Sequence, residues 1–223
     1  ELGYDYVQLR DVRKCKNPEK ILKRRVVCDF SSPGTIDKAL EQLKNRYQVE
    51  GVVSTYENYI LQAAYVAEKL GLRGMPISAA EACTDKYIMR RLFANSPRKI
   101  SPAFEEVHSI ENVMEFMEHA TFPVILKPAN LAKSLLVTKS SNMHELESNY
   151  EKTTATIDAI YKKYAPNRTP KILIEEFMEG SVHSVDAFVD ENGTPHVLEN
   201  VVDYQTGYDI GYDDNFHYSR ILP

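Results

Sequence analysis

Two lysines and a pair of adjacent glutamates are the residues of this chain best suited to hold a polyanion beside a flat, polar ring. Lys86 lies in TDKYIMR, in the first turn of a predicted helix. Free backbone N–H groups and the helix dipole favour an anion there. Lys127 closes the apolar run FPVILK, directly before the loop PANLAKS. Lysine is rarely buried without a partner. A loop of small residues between two strands, here with Lys133 and Ser134, can fold its N–H groups over phosphates. Glu175 and Glu176 end a second apolar run, KILIEE, ahead of Phe177 and Met178. The Glu175 carboxylate or the Glu176 carbonyl would accept from the N6 amino group of adenine, and the Met178 N–H would serve N1. Ile125, Ile174, Phe177 and Met178 would wall the ring. The chemistry suggested is recognition of a nucleotide.

Each feature also has a plainer reading. Lys86 could be a solvated surface lysine, and Lys127 could reach water along its own stem. Glu175 and Glu176 could be a solvated strand end. The loop after Lys127 has no glycine, whereas phosphate-cradling loops usually have several. His183 alternates with Val185, so a core histidine is an alternative to a polar role.

The chain has 223 residues, with 27 Lys plus Arg against 32 Asp plus Glu, a net charge of −5. That balance argues against a nucleic-acid binder driven by phosphate contacts, yet leaves room for a local cationic pocket. No apolar run approaches membrane-spanning length, and neither a signal peptide nor a membrane partner is expected. Cys15, Cys28 and Cys83 are odd in number and not at metal spacing. They read as reduced thiols of a cytoplasmic protein.

The elements that must position these residues alternate at first. Strands are predicted at 4–9, 25–30 and 51–55. Helices run from a Thr35 cap, with Ile36, Ala39, Leu40, Leu43 and Tyr47 inward, and over 57–70, with Gly71 just past the end. Such alternation implies βαβ units and a parallel sheet. Gly74-Met75-Pro76 marks a boundary. Thr84 is then expected to cap a helix over 85–94, with Ile88, Leu92 and Phe93 inward. An α+β pattern follows: a strand at 104–107, a helix opened by Ser109, a hairpin of 122–127 and 135–139 around the loop, and a long helix over 141–164. A buried strand at 172–174 leads through Gly180 into an alternating strand in a second sheet. Asn192-Gly193 signals a hairpin to a strand at 195–202, and 203–218 reads as loop. Both ends look cut, with a first strand missing before Glu1.

Three segments in this order, TDKYIMRRLF, FPVILKPAN-LAKS-LLV and LIEEFMEGSVHSVD, resemble the ATP-grasp superfamily. The upstream run VEGVVSTYENYILQAAYVAEKLGLRGMPISAAEACTDK looks like the end of its pre-ATP-grasp domain. The resemblance implies an α/β plus α+β fold. Residues 1–80 would be a partial doubly wound pre-ATP-grasp domain, 81–180 the ATP-grasp small subdomain, and 181–223 the first strands of the large subdomain. By position, Lys86 and Lys127 match the two lysines that contact ATP phosphates, Lys127 also lying near adenine N7. Glu175 matches the acidic residue near adenine, with the Glu176 carbonyl beside it, and Met178 the backbone contact. His183 falls where a relative has a histidine near the ribose, and Ser134 in the phosphate-covering loop. Many members have G-x-E at Gly180-Ser181-Val182, its Glu holding the ribose; here that position is Val182.

The implied activity is that of an ATP-dependent carboxylate–amine (or thiol) ligase working through an acyl phosphate. Magnesium would be held by ligands expected beyond Pro223, so the catalytic residues are not named and this stretch alone is not expected to catalyse. Superfamily members are often dimers, which makes a homodimer the assembly to test. A nucleotide-binding or interaction module without ligase activity is the alternative, favoured by the glycine-free loop and Val182.

Overall fold

The computed structural model describes residues 3, 5–15, 24–98, 100–206, 210–211 and 217–222. The chain divides into two compact units, 1–177 and 178–223.

The first unit opens with β1 (Gln8–Asp11) and β2 (Arg25–Cys28), which pair in parallel as the alternation predicts. α1 (Pro33–Arg46) buries Ile36, Ala39, Leu40 and Leu43, a stripe at helical spacing. It packs on Val26, Cys28 and Phe30 of the β2 segment and on Val66 of α2 (Ile60–Lys69). Burial pushes the Cys28 thiol up to about 11. The α1 cap differs from expectation. Ser32 is the N-cap with Pro33 at the first helical position, and Thr35 sits one turn in, donating its hydroxyl to the Asp29 and Ser32 carbonyls. Proline pre-sets the helical φ and lacks the N–H that a first-turn residue leaves unpaired.

Gly71 does end α2. It takes a φ of +67°, its N–H donates to the Glu68 carbonyl, and the Leu72 N–H donates back to Ala67. These are the paired bonds of a Schellman motif, which needs a residue free of Cβ strain at this point. The run 51–55 is not a strand. It is irregular, and Val53 is 88% exposed, so no described segment covers that side chain.

Two short helices follow. α3 (Ile77–Thr84) was not foreseen, because ISAAEACT is small and weakly patterned. Gly74 ahead of it lies against α2, where a Cβ would come within 2.8 Å of the Ala67 Cβ. Thr84 therefore closes α3 and does not cap the next helix. Asp85 caps α4 (Lys86–Ala94), accepting from the N–H groups of Tyr87 and Ile88.

Beyond α4 lies a four-stranded antiparallel sheet in the order β3-β6-β4-β5: β3 (Phe104–Val107), β6 (Ile172–Glu176), β4 (Val124–Pro128) and β5 (Thr138–Ser140). The predicted hairpin around the loop is the β4–β5 pair, though β5 begins only at Thr138. α5 (Ile110–Met117), capped by Ser109, and α6 (Met143–Tyr164), capped by Asn142, pack on one face. Val124, Leu126, Ile172 and Ile174 point into that core with Val113, Phe116, Leu146, Tyr150, Ile157 and Tyr161. Burying each large apolar side chain contributes about 1.5–3 kcal/mol.

The second unit is a three-stranded antiparallel sheet of β7 (Val182–Val189), β8 (Pro195–Thr206) and β9 (His217–Leu222). The step from β6 to β7 thus leaves one sheet for another, as the sequence suggested. The β7–β8 turn is built on Gly193 at φ +81° and on Asp190, which accepts from the Asn192 and Thr194 N–H groups. The expectation of loop over 203–218 is corrected in part. β8 runs on to Thr206 and β9 begins at His217, because each strand finds a hydrogen-bonding neighbour in the other; residues 207–209 and 212–216 lie outside the described set.

Candidate functional site

Strand alternation and register decide which predicted site residues meet. Across β4 and β6, Ile125 faces Glu175, Leu126 faces Ile174, and Lys127 faces Leu173. Leu126 and Ile174 go into the core, which sends Ile125, Lys127 and Glu175 to the opposite face. Lys139 on β5 lies across from Ile125 on that same face, and Phe104 on β3 across from Glu175. Ile174 is fully buried on the wrong side, so it is no wall of the proposed ring site. A one-residue change of register reverses every assignment of this kind.

Glu175 is not a solvated strand end. It is 4% exposed, and both its oxygens are held by cations. Lys127 Nζ pairs with Oε1, and Arg90 Nε donates to Oε2 at 2.9 Å. Lys127 is therefore tethered rather than snorkelling. Arg90 was missed. The helical period had put Leu92 inward, yet Leu92 is 56% exposed and Arg90 is the buried residue of α4. The available signal was its spacing: Arg90 stands four residues after Lys86, on the same helical face.

Lys86 joins α4 to the loop twice. Its N–H donates to the Ala129 carbonyl at 2.7 Å, and its ammonium donates to the Leu131 carbonyl at 2.8 Å. It is half-buried, and among the described residues no carboxylate forms an ion pair with it. Burial and the nearby Lys127 charge hold its pKa below the ordinary lysine value. A desolvated ammonium that repels a second one is what an incoming anion would relieve. Asp85 positions this end, since it caps α4 with one oxygen and takes Lys171 Nζ at 2.9 Å on the other.

The loop after Lys127 has a tied half and an open half. Ala129 N–H donates to the Lys171 carbonyl, Asn130 accepts from the Tyr161 hydroxyl, and Arg168 donates to the Asn130 carbonyl and to Thr84 and Glu57. Beyond Leu131, Leu135 and Leu136 pack on the core and the Val137 N–H donates to the Ser134 carbonyl. Lys133, Ser134 and Leu136 adopt φ of 66°, 51° and 56°. Left-handed backbone at non-glycine residues stores strain and clusters at binding sites. The loop lacks glycine yet takes the conformations glycine would favour, with Lys133 and Ser134 exposed.

The other predicted residues are less enclosed. Glu176 is half-buried, accepts from the Thr121 N–H, and donates its own N–H to Ala103. Phe177 stacks under Lys139, whose ammonium stands 3.9 Å from the ring centroid. Met178 and His183 belong to the second unit, and both are exposed. His183 is not a core histidine. Its Nε2 is 2.7 Å from the Ser181 hydroxyl, and its Nδ1 is 3.6 Å from Asp203 across the β7–β8 ladder. Among the described residues no group of three or more His, Cys, Asp or Glu could hold a metal ion.

Residues 120–218 match the model of the ATP-grasp domain. Over 168 residues, 69% of this chain, the sequence is 30% identical to an alanine–anticapsin ligase of Bacillus subtilis, of which it covers 35%. The crystal structure of an L-amino acid ligase from Bacillus licheniformis superposes with a TM-score of 0.63 at 21% identity, over 82% of this chain and 43% of that one. The biotin carboxylase domain dimer of Hydrogenobacter thermophilus 2-oxoglutarate carboxylase, solved with MgADP and bicarbonate, superposes with a TM-score of 0.57 at 17% identity, over 82% of this chain and 41% of that one. The chain spans about a third of the length of the curated relatives it matches.

Proposed function

We propose that this ATP-grasp superfamily chain supplies the ATP-binding part of a carboxylate–amine (or thiol) ligase. The observation that carries the reading is the cluster on one sheet face: Lys127 on a buried Glu175, with Lys86 at the head of α4. Lys86 and Lys127 neutralise phosphate oxygens. Glu175, the Glu176 carbonyl and the Met178 N–H read the adenine edge. Ser134 and its neighbours cover the phosphates. Residues 1–80, 81–180 and 181–223 take the parts of pre-ATP-grasp domain, small subdomain and start of the large subdomain.

The reaction runs in two displacements. A substrate carboxylate oxygen bonds to the γ-phosphorus as the bond to the bridging oxygen breaks, and ADP leaves with that electron pair. The amine nitrogen then bonds to the acyl carbon, phosphate departs, and the amine loses a proton. The lysines help the first step most when the loop shuts water out. A unit charge pair near 4 Å is worth about 1 kcal/mol in water and about 4 at an effective dielectric of 20. Magnesium would supply charge neutralisation at the phosphates; the residues named here act on the nucleotide and not on the metal. No described helix is long and apolar enough to cross a membrane. A cytoplasmic enzyme, with its three cysteines as thiols, completes the proposal, and a homodimer is its assembly to test.

The experiment is hydroxylamine trapping. Full-length protein with ATP, magnesium and a panel of amino acids should release ADP and yield an acyl hydroxamate with at least one of them. Nucleotide binding without hydroxamate from any carboxylate would instead favour the binding module.

A further inference from the structure

We infer that Arg90 is a positioning residue: it is the standing counter-ion of Glu175, and it frees Lys127 to leave that carboxylate for a phosphate. The inference rests on the proposed reading of Lys127 as a phosphate ligand. Arg90 and Glu175 are both nearly fully buried, and the Nε–Oε2 bond is 2.9 Å. Lys127, somewhat less enclosed, holds the other oxygen. Two cations thus share one anion, and one of them is surplus.

The surplus has a consequence for binding. Were Lys127 the sole partner of Glu175, drawing it to a phosphate would strand a buried carboxylate, and unpaired buried charge is strongly penalised. With Arg90 in place the carboxylate remains neutralised when Lys127 departs. Arg90 is also well placed to stay behind. Its planar group is fixed on a helix that is pinned at its start by Asp85, Lys171 and the two bonds of Lys86. Guanidinium keeps its charge at any working pH, so it is a permanent counter-ion. The adjacent Arg91 is a built-in contrast: it is exposed and lies over the Tyr87 ring, 6.0 Å from its centroid.

The test is equilibrium binding of ATP and of adenosine, which lacks phosphate, to the full-length protein. Arg90→Met should weaken ATP by about 30-fold and adenosine by under about 3-fold, since only ATP calls Lys127 away. Arg91→Met should change neither. In a Glu175→Gln background, Arg90→Met should cost ATP nothing further, because no anion is left to neutralise. Arg90→Lys should restore most of the ATP affinity. Equal losses for ATP and adenosine, or an Arg90→Met effect that adds fully to Glu175→Gln, would overturn the inference and leave Arg90 a structural residue. If Arg90→Met does not fold, Arg90→Gln/Glu175→Gln is compared with Glu175→Gln alone: matched ATP affinities support the inference and a further loss overturns it. Wild-type protein that binds no ATP would sink the underlying reading as well, an outcome distinct from all of these.

Discussion

The two sheets of this protein use charge in opposite ways. At the four-stranded sheet, three ion pairs join residues far apart in sequence and sit mostly under cover, beside one local, open contact of His108 with Glu106. Arg90 and Lys127 meet Glu175, and Lys171 meets Asp85. In the three-stranded sheet one described pair is local and open, and the other, His183 with a buried Asp203, spans the β7–β8 ladder at 3.6 Å. Asp190 takes His196 across its own turn, and His183 contacts Ser181 two residues away. Apolar residues differ likewise: Leu126 and Ile174 are fully buried, while Val185, Phe188 and Val189 stand open. Long-range buried charge fixes side chains in advance of a ligand; local exposed charge mainly shapes a turn.

The comparison breaks first at Glu175. Glu175→Ala would leave Arg90 and Lys127 buried without an anion and should lower stability by about 4 kcal/mol, read by urea unfolding. A loss under about 1 kcal/mol would mean the cluster relaxes to water. Ile174→Ala should follow at about 3 kcal/mol, whereas Val189→Ala on the open sheet should stay within about 0.5. Comparable losses at both positions would mean that the second sheet is covered too.

How far sequence alone reached is visible at these same residues. The hairpin around the loop, the parallel β1–β2 pair, the Gly71 cap and the step between sheets each follow from local chemistry and were readable. Which isoleucine faces the ring site was not. Ile125 and Ile174 both lie in apolar runs, and only the register that sets Ile125 against Glu175 separates them. Arg90 escaped because a helical period names a stripe without saying which stripe the fold covers. Here a carboxylate on another strand makes the charged side the buried one. The strand predicted at 51–55 failed for the converse reason, since propensity supplies no partner to pair with.

Titration sharpens the contrast on a smaller scale. The pKa of Lys86 is held down by burial and by Lys127. Its unfolded form therefore binds more protons in the window between the lowered value and the ordinary one, so stability should rise with pH through that window. Lys86→Met should flatten this limb of the unfolding curve; an unchanged slope would contradict the assignment. Asp190 has the opposite sign. Bonds from His196, Thr194 and Asn192 hold its pKa below the usual carboxylate range. Stability from this group is present above its unfolded pKa and is lost as pH falls through the folded one. The Asn192 and Thr194 amide resonances should shift together below the ordinary carboxylate range, and Asp190→Asn should abolish the titration.

The most direct measurement is ATP binding to Lys127→Met in the full-length protein, beside wild type and the exposed control Lys152→Met. Glu175 keeps Arg90 in the variant, so the fold should survive and the loss should report the missing phosphate contact. Binding should be about 30-fold weaker for Lys127→Met and unchanged for Lys152→Met. Wild-type affinity in the folded Lys127→Met protein would contradict it.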